Sequence, residues 1–246
     1  MPAAIHSPLD WGSKVGNWIE HVHEPSKLIL AWQAPDERRN RTRFAVGEII
    51  KRDGSFVLRY YSDTPDVLKA KELGYEGYAA FSIKSPEHSK DVLSAFMRRL
   101  PPRSRPDFRQ YLEGLRLTPL ASLSDFGLLA YSEAKLPSDG FSLVNTLEDA
   151  AVPSEFLLEL AGYRHLEPSL TERDIGATVS LIPEPTNPYD PNAVTVQYGD
   201  KIIGYINRLQ APTVAQWIIN DQVSAVLERL NGRPDKPRAF IFLWVK

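Results

Sequence analysis

The octapeptide Asn187-Pro188-Tyr189-Asp190-Pro191-Asn192-Ala193-Val194 decides how the C-terminal part of this chain is interpreted. Its two prolines stiffen a turn, while Asn and Asp side chains surround a single aromatic ring. One interpretation is a turn in which the polar side chains bond their own backbone and Tyr189 packs on the fold. The other is a rigid loop that offers hydrogen-bonding groups to a ligand. The flanking residues are needed to choose between them.

The octapeptide lies among short runs rich in β-branched and aromatic residues, which predict strands. Gly199-Asp200 predicts a two-residue hairpin, and Pro212 predicts the start of a helix over 211–220. About five or six strands in so short a segment predict a small β-barrel with one or two helices. The predicted strands cover 156–162, 178–183, 193–198, 201–206 and 239–245.

The first half of the chain mixes strand and helix signals. Asp53-Gly54 predicts a tight hairpin, and Thr64-Pro65 predicts a capped helix start. We therefore expect an α+β domain over residues 1–149, followed by the barrel over 150–246. The supporting runs are strands at 27–32, 44–50 and 56–61 and further helices over 92–100 and from 105.

Charge and composition limit the possible partners. With 29 basic and 31 acidic residues the net charge is −2, so bulk electrostatics does not draw the chain onto nucleic acid and any such binding must be local. Arginines cluster at 38–52 and 98–109, either as solvated faces or as a phosphate track. The absence of cysteine suits a reducing cytoplasm, and no long apolar run predicts a membrane span. We expect a cytoplasmic protein.

Signals for catalysis are weak. The sequence holds neither a glycine-rich phosphate loop nor a His-Glu-x-x-His motif. His21 and His23 could chelate a metal only with a third ligand that is not nearby in sequence. We expect no catalytic residue, no metal and no cofactor, and therefore not an enzyme. A hydrolase whose groups meet only in space stays open.

Three motifs around the octapeptide resemble the HIRAN domain over roughly residues 156–246. They are Gly162-Tyr163-Arg164, the stretch Val179-x-Leu181-x-x-Glu184-Pro185-x-Asn187 that leads into the octapeptide, and Ile203-Gly204-Tyr205-Ile206. That family occurs in fork-remodelling helicase-like ATPases and in bacterial proteins. The resemblance implies a modified OB barrel, which in eukaryotic members grips the 3′-hydroxyl end of single-stranded DNA.

The resemblance also implies roles for individual residues. Tyr189 would stack on the terminal base, Asp190 would accept a hydrogen bond from the 3′-hydroxyl, and Arg164 would contact phosphate. Two positions depart from the family pattern, since His165 replaces an aromatic residue and Tyr205 replaces a histidine. The predicted nucleic-acid-binding residues are Tyr189, Asp190, Asn187, Arg164, His165, Tyr205 and Arg208.

The first half has a fainter resemblance to the non-catalytic N-terminal subdomain of HipA-like kinases. Its residues are Val46-Gly47-Glu48-Ile49, Phe96-x-x-Arg99-Leu100-Pro101 and Phe126-Gly127-Leu128-Leu129. Two hypotheses follow. The first is a protein that binds single-stranded or 3′-ended DNA, in DNA repair or anti-phage defence. The second is a protein-interaction or antitoxin-like partner of a kinase or nuclease effector, and the two are compatible.

Overall fold

The computed structural model describes residues 16–35, 42–119, 121–136, 139–166 and 170–246. Its first half is organised around a five-stranded antiparallel sheet of order β4-β3-β2-β1-β5. The strands are β1 Lys27–Trp32, β2 Phe44–Arg52, β3 Ser55–Tyr60, β4 Glu87–His88 and β5 Phe141–Val144. The β2–β3 hairpin turns at Asp53 and Gly54, whose φ angles of 49° and 76° confirm the predicted turn.

Short helices accompany this sheet. The first is capped by Thr64, whose hydroxyl accepts a hydrogen bond from the N–H of Val67 at 3.2 Å, as predicted. Because the helices span only six to eight residues, the half is mostly strands and not the clear α+β domain that was expected. They are α1 Pro65–Glu72, α2 Val92–Met97, α3 Phe108–Gly114 and α4 Asp125–Ser132.

The second half contains a six-stranded antiparallel sheet of order β6-β11-β10-β7-β8-β9. Its strands are β6 Ser154–Glu159, β7 Thr178–Pro183, β8 Val194–Tyr198, β9 Lys201–Tyr205, β10 Val223–Arg233 and β11 Lys236–Val245. The short helix α5 spans Tyr163–Leu166, and α6 spans Ala211–Ile219. The sequence analysis did not predict β10.

The second sheet curls until its two outer strands meet. Just beyond β6, Ala161 exchanges two backbone hydrogen bonds with Tyr205 of β9, at 2.8 and 2.9 Å. The curled sheet forms a half-barrel, which fits the predicted OB-like architecture.

Strand β11 buries side chains on both of its faces, which explains its nearly continuous apolar sequence. Alternate residues such as Ile241 and Leu243 enter the half-barrel core with α6, whereas Phe242 and Trp244 pack against the first half of the chain. The alternation places the half-barrel directly against the N-terminal half.

Polar contacts also join the two halves. Glu228 of β10 is buried and lies 2.6 Å from Arg116, and Glu155 of β6 binds the ring Nδ1 of His21 at 2.9 Å. The expected boundary between residues 149 and 150 falls between β5 and β6, and it stays a prediction.

Candidate nucleic-acid interface

A cleft of about 660 Å³ opens where the half-barrel meets the N-terminal sheet. All seven residues that were predicted from the sequence line it, although they come from three separate segments of the chain. The other lining residues are Gln33, Thr42, Arg43, Glu159, Leu160, Ala161, Gly162, Tyr163, Ala193, Ile206, Asn207, Lys236, Pro237 and Arg238.

The loop between β7 and β8 is folded by Asn187. Its side-chain oxygen accepts hydrogen bonds from the N–H groups of Tyr189 and Asp190, at 2.9 and 3.2 Å, and its amide donates to Glu184 at 2.9 Å. The side chain of Asn187 is therefore used inside the loop, as the turn interpretation expected. It shapes the surface on which Tyr189 and Asp190 stand.

Tyr189 departs from the turn interpretation. Its side chain does not pack on the barrel, because the residue is 95% exposed. An exposed aromatic ring fixed by a proline-stiffened loop is a stacking platform for a planar group. Beside it, Asp190 accepts a hydrogen bond from the N–H of Asn192 through Oδ1 at 2.9 Å. A carboxylate can accept several hydrogen bonds, so its capacity to bind a hydroxyl is not exhausted.

Arg164 and His165 reach the cleft from the single turn α5, which follows the bridge to β9. Gly162 begins this turn with a φ of 76°, a conformation that favours glycine. The Nε of Arg164 donates to His165 Nε2 at 3.0 Å, so the two side chains act as a unit. Across the bridge, partial burial and the nearby Glu184 carboxylate raise the pKa of Tyr205, which keeps its hydroxyl protonated at neutral pH.

Arg208 lies between β9 and α6, and its guanidinium is bound by the N-terminal half. Asp66 of α1 accepts from Nη1 at 2.6 Å and from Nη2 at 3.2 Å, and the carbonyl of Arg43 accepts from Nη1 at 3.0 Å. The resemblance that selected Arg208 contains no information about Asp66, which is far away in sequence. Spatial proximity alone reveals this pair.

Glu159, Arg238 and Arg43 line the cleft and belong to a chain of alternating charges that was not predicted from the sequence. Glu159 of β6 binds Arg238 through two hydrogen bonds of 2.7 Å and Lys135 through one of 2.8 Å. Burial raises the pKa of Glu159, but the two cations outweigh burial and hold the pKa well below its usual range. Lys135 also contacts Glu133, which lies 3.3 Å from Arg43. Within the described residues, this chain of charges holds three cations and two carboxylates.

The arginines of the two clusters have different surroundings. Of the first, Arg43 lines the cleft, while Arg38, Arg39 and Arg41 lie outside the described residues. In the second, Arg99 is buried and binds Asp139, so it is a structural residue. Three further members each contact a carboxylate, namely Arg103 with Asp125, Arg105 with Asp107 and Arg109 with Glu113. As ion-paired residues, they do not form an open phosphate track.

A second cleft, of about 870 Å³, lies in the N-terminal half and includes Arg98 and Arg103. It contains none of the seven predicted residues. His21 and His23 each bind a carboxylate, of Glu155 and Asp149 respectively. Among the described residues, no cluster of three or more His, Asp or Glu side chains could hold a metal. Within the same residues, every helix is too short or too polar to cross a bilayer.

Comparison with known families addresses the half-barrel. The family model of the HIRAN domain matches residues 154–246, which span β6 to the end of β11. Residues 154–246 form a HIRAN domain. The match begins at the first residue of β6 and therefore takes in the whole curled sheet together with every predicted site residue.

Two solved structures are similar to the chain. The HIRAN domain of human HLTF shares 21% identity, with a TM-score of 0.31, over 37% of this chain and 76% of that one. A protein from Lactobacillus plantarum also shares 21% identity, with a TM-score of 0.29, over 37% of this chain and 92% of that one. A comparison with curated proteins gave no match. The HIRAN match leaves the N-terminal half outside, so its HipA-like resemblance stays a prediction.

Proposed function

We propose that this chain binds single-stranded DNA at its 3′ end, and that the cleft on the HIRAN domain is the binding site. The observation that carries the proposal is the ring of Tyr189, 95% exposed, on a loop at a cleft whose described lining residues include five arginines or lysines and two carboxylates. A fully exposed aromatic ring contributes nothing to the core of the domain. A surface that joins such a ring to cations suits an unpaired nucleotide.

Each group has a role in the proposed complex. The terminal base stacks on Tyr189, an interaction of roughly 1–3 kcal/mol per base. Asp190 accepts a hydrogen bond from the 3′-hydroxyl, and Arg164 pairs with the phosphate on the 5′ side of the terminal nucleotide. His165 stacks more weakly than a larger aromatic residue, and Tyr205 donates its hydroxyl where a histidine stands in the family. Binding of this kind requires no catalytic group, metal or cofactor.

The chemistry of the strand end provides the first test. Fluorescence anisotropy at low salt would compare short single strands that end in a 3′-hydroxyl with the same strands ending in a 3′-phosphate. We expect the hydroxyl end to bind at least about tenfold more tightly, because a terminal phosphate removes the donor and places negative charge against Asp190. Equal affinity for the two ends would contradict end recognition and leave only general strand binding.

Tyr189 provides the second test. Tyr189→Ala removes the ring and should weaken binding by about tenfold, whereas Tyr189→Phe keeps the ring and should bind nearly as the native chain does. Because the side chain is exposed, neither change should alter the thermal unfolding temperature. Native affinity in Tyr189→Ala would show that the ring does not contribute to binding, and this result would contradict the proposed function.

Recognition of free 3′ ends suits DNA repair or anti-phage defence, since both processes generate such ends, and we place the chain there as a cytoplasmic DNA-binding protein.

The proposed phosphate contacts are tested by measuring the affinity at a series of salt concentrations. The logarithm of the binding constant for a single strand should fall linearly with the logarithm of the salt concentration. The slope should be about 0.7 for each phosphate contacted.

A further inference from the structure

The binding site proposed above includes one residue that the N-terminal half positions. We propose that Asp66 and the backbone of Arg43 hold the guanidinium of Arg208 as a fixed two-pronged donor for a phosphate of the bound strand. This inference rests on the proposed function and assigns the N-terminal half a part in it.

The donors of Arg208 identify which edge is available. A guanidinium has five N–H groups in one plane. Asp66 takes one from Nη1 and one from Nη2, and the Arg43 carbonyl takes the second one of Nη1. Among the described residues, no partner accepts from Nε or from the remaining N–H of Nη2. These two donors are parallel and lie on the same edge of the plane.

That edge has the geometry that phosphate requires. Two parallel N–H groups bind two phosphate oxygens at once, which is the fork arrangement that makes arginine different from lysine. Arg208 lines the cleft and its side chain is 39% exposed, and we place the phosphate of the strand at this edge. The other edge of the guanidinium is already fixed by Asp66.

Fixing the guanidinium lowers the entropy that binding must remove. A free arginine side chain loses rotamer freedom when binding immobilises it, which weakens the affinity. Here Asp66 is itself anchored, since its Oδ2 also accepts from the N–H of Ala45 at 2.7 Å. The carboxylate, the β2 backbone and the guanidinium thus form one rigid unit that crosses from the N-terminal sheet to the HIRAN domain.

The test uses the full chain and 5′-labelled single strands in fluorescence anisotropy. Arg208→Gln should weaken binding by about tenfold and lower the salt slope by about 0.7, the value of one lost phosphate contact. Arg208→Lys keeps the charge but lacks the fork, and it should lose most of the same affinity. Native affinity in Arg208→Lys would show that the two-pronged contact with a phosphate is not needed, and this result would overturn the proposal.

Asp66 is a positioning residue in this proposal. The affinity of Asp66→Ala is therefore measured both in the native chain and together with Arg208→Gln. In the native background, Asp66→Ala should weaken binding several-fold and lower the salt slope, although it removes a negative charge. In the Arg208→Gln background the same change should not weaken binding further. Tighter binding by Asp66→Ala alone would show that Asp66 sequesters Arg208, and equal weakening in both backgrounds would show a merely structural role. Either outcome overturns the proposal.

Two further measurements keep the failures apart. Thermal unfolding of each variant shows whether loss of the Ala45 contact disturbs the fold, and if Asp66→Ala is unfolded the Arg208→Lys result decides alone. Tyr189→Ala is measured beside them. Weakening by Tyr189→Ala with native binding by the Arg208 variants rejects this inference only, whereas native binding by Tyr189→Ala rejects the proposed function itself.

Discussion

Asn187 uses both ends of its amide to fold the loop that carries Tyr189 and Asp190. The HIRAN resemblance selected this residue together with its neighbours, but the hydrogen bonds make it a positioning residue in the proposed complex. Its contribution to binding should therefore be indirect and should depend on the amide oxygen, because that atom accepts from both neighbouring N–H groups.

At the residue scale we predict that Asn187→Ala weakens single-strand binding about as much as Tyr189→Ala, roughly tenfold, because the loop loses the acceptor that fixes it. Asn192→Ala is the matched control, since this exposed side chain of the same loop forms no hydrogen bond with the described residues. Anisotropy titrations measure both. Full affinity in Asn187→Ala would show that the prolines alone hold the loop.

At this scale the sequence indicates side chains that act through their local context. The spacing of Asn187, Tyr189 and Asp190 is local, so the motif located all three at the cleft. The partners of Arg208 could not be found in this way, because Asp66 approaches only after two sheets have packed. The same holds for the pairing of Glu159 with Lys135 and Arg238, since ion pairs between distant segments leave no spacing in the sequence.

At the scale of elements, the closure of the half-barrel depends on the close approach of β9 to the end of β6. Gly204 lies at this point, and a Cβ there would stand 2.8 Å from the Cβ of Leu160 and 3.2 Å from the carbonyl oxygen of Ala161. No larger residue fits without moving one of the two strands.

We predict that Gly204→Ala destabilises the fold by about 1–3 kcal/mol, because the added methyl group forces the strands apart. Gly114→Ala is the matched control: its Cβ would meet nothing within 4 Å, and alanine in a helix is favoured by roughly 0.5–1 kcal/mol. Urea unfolding measures both. Gly204→Ala should also weaken DNA binding, since the Ala161–Tyr205 bridge supports α5. Unchanged stability would show that the strands relax without cost.

Most strands could be predicted from sequence because each carries β-branched and aromatic residues between turn signals. Strand β10 could not. Its pairing with β11 shifts register between Leu227 and Arg229, and Glu228 at this irregularity is a buried charge. The compensating contacts, from Arg116 and Asn17, come from the N-terminal half and are invisible in the local pattern.

At the scale of the whole molecule, partly buried ion pairs make the stability depend on pH. The folded-state pKa of Glu159 lies below the ordinary value of 4.5, so this group stabilises the fold above that pH and its contribution is lost as the pH falls. Glu133 has a lowered pKa as well: burial raises it, and Lys135 and Arg43 more than offset that effect. Both groups act in the same direction.

We predict that Glu159→Gln lowers the free energy of unfolding by about 1–3 kcal/mol at pH 7, because Lys135 and Arg238 lose their shared partner. The difference from the native chain should shrink as the pH falls below about 4, where the native carboxylate begins to lose its advantage. Urea unfolding at several pH values measures it. Glu113→Gln, on the exposed surface, is the control and should change stability by less than about 1 kcal/mol. If the difference in unfolding free energy between the native chain and Glu159→Gln did not change with pH, the lowered pKa of Glu159 would be contradicted.

The bridge between Ala161 and Tyr205 also limits how the HIRAN domain can recognise anything. Many peptide-binding domains capture an extended chain as an added strand, which requires an unpaired sheet edge. At this end of the half-barrel the edge groups of β6 and β9 already bond each other. Where β9 begins, the exposed Lys201 places a charge that discourages strand addition. A ligand at the bridge must therefore be recognised by side chains and loops, which is a chemistry open to nucleotides and closed to β-augmentation.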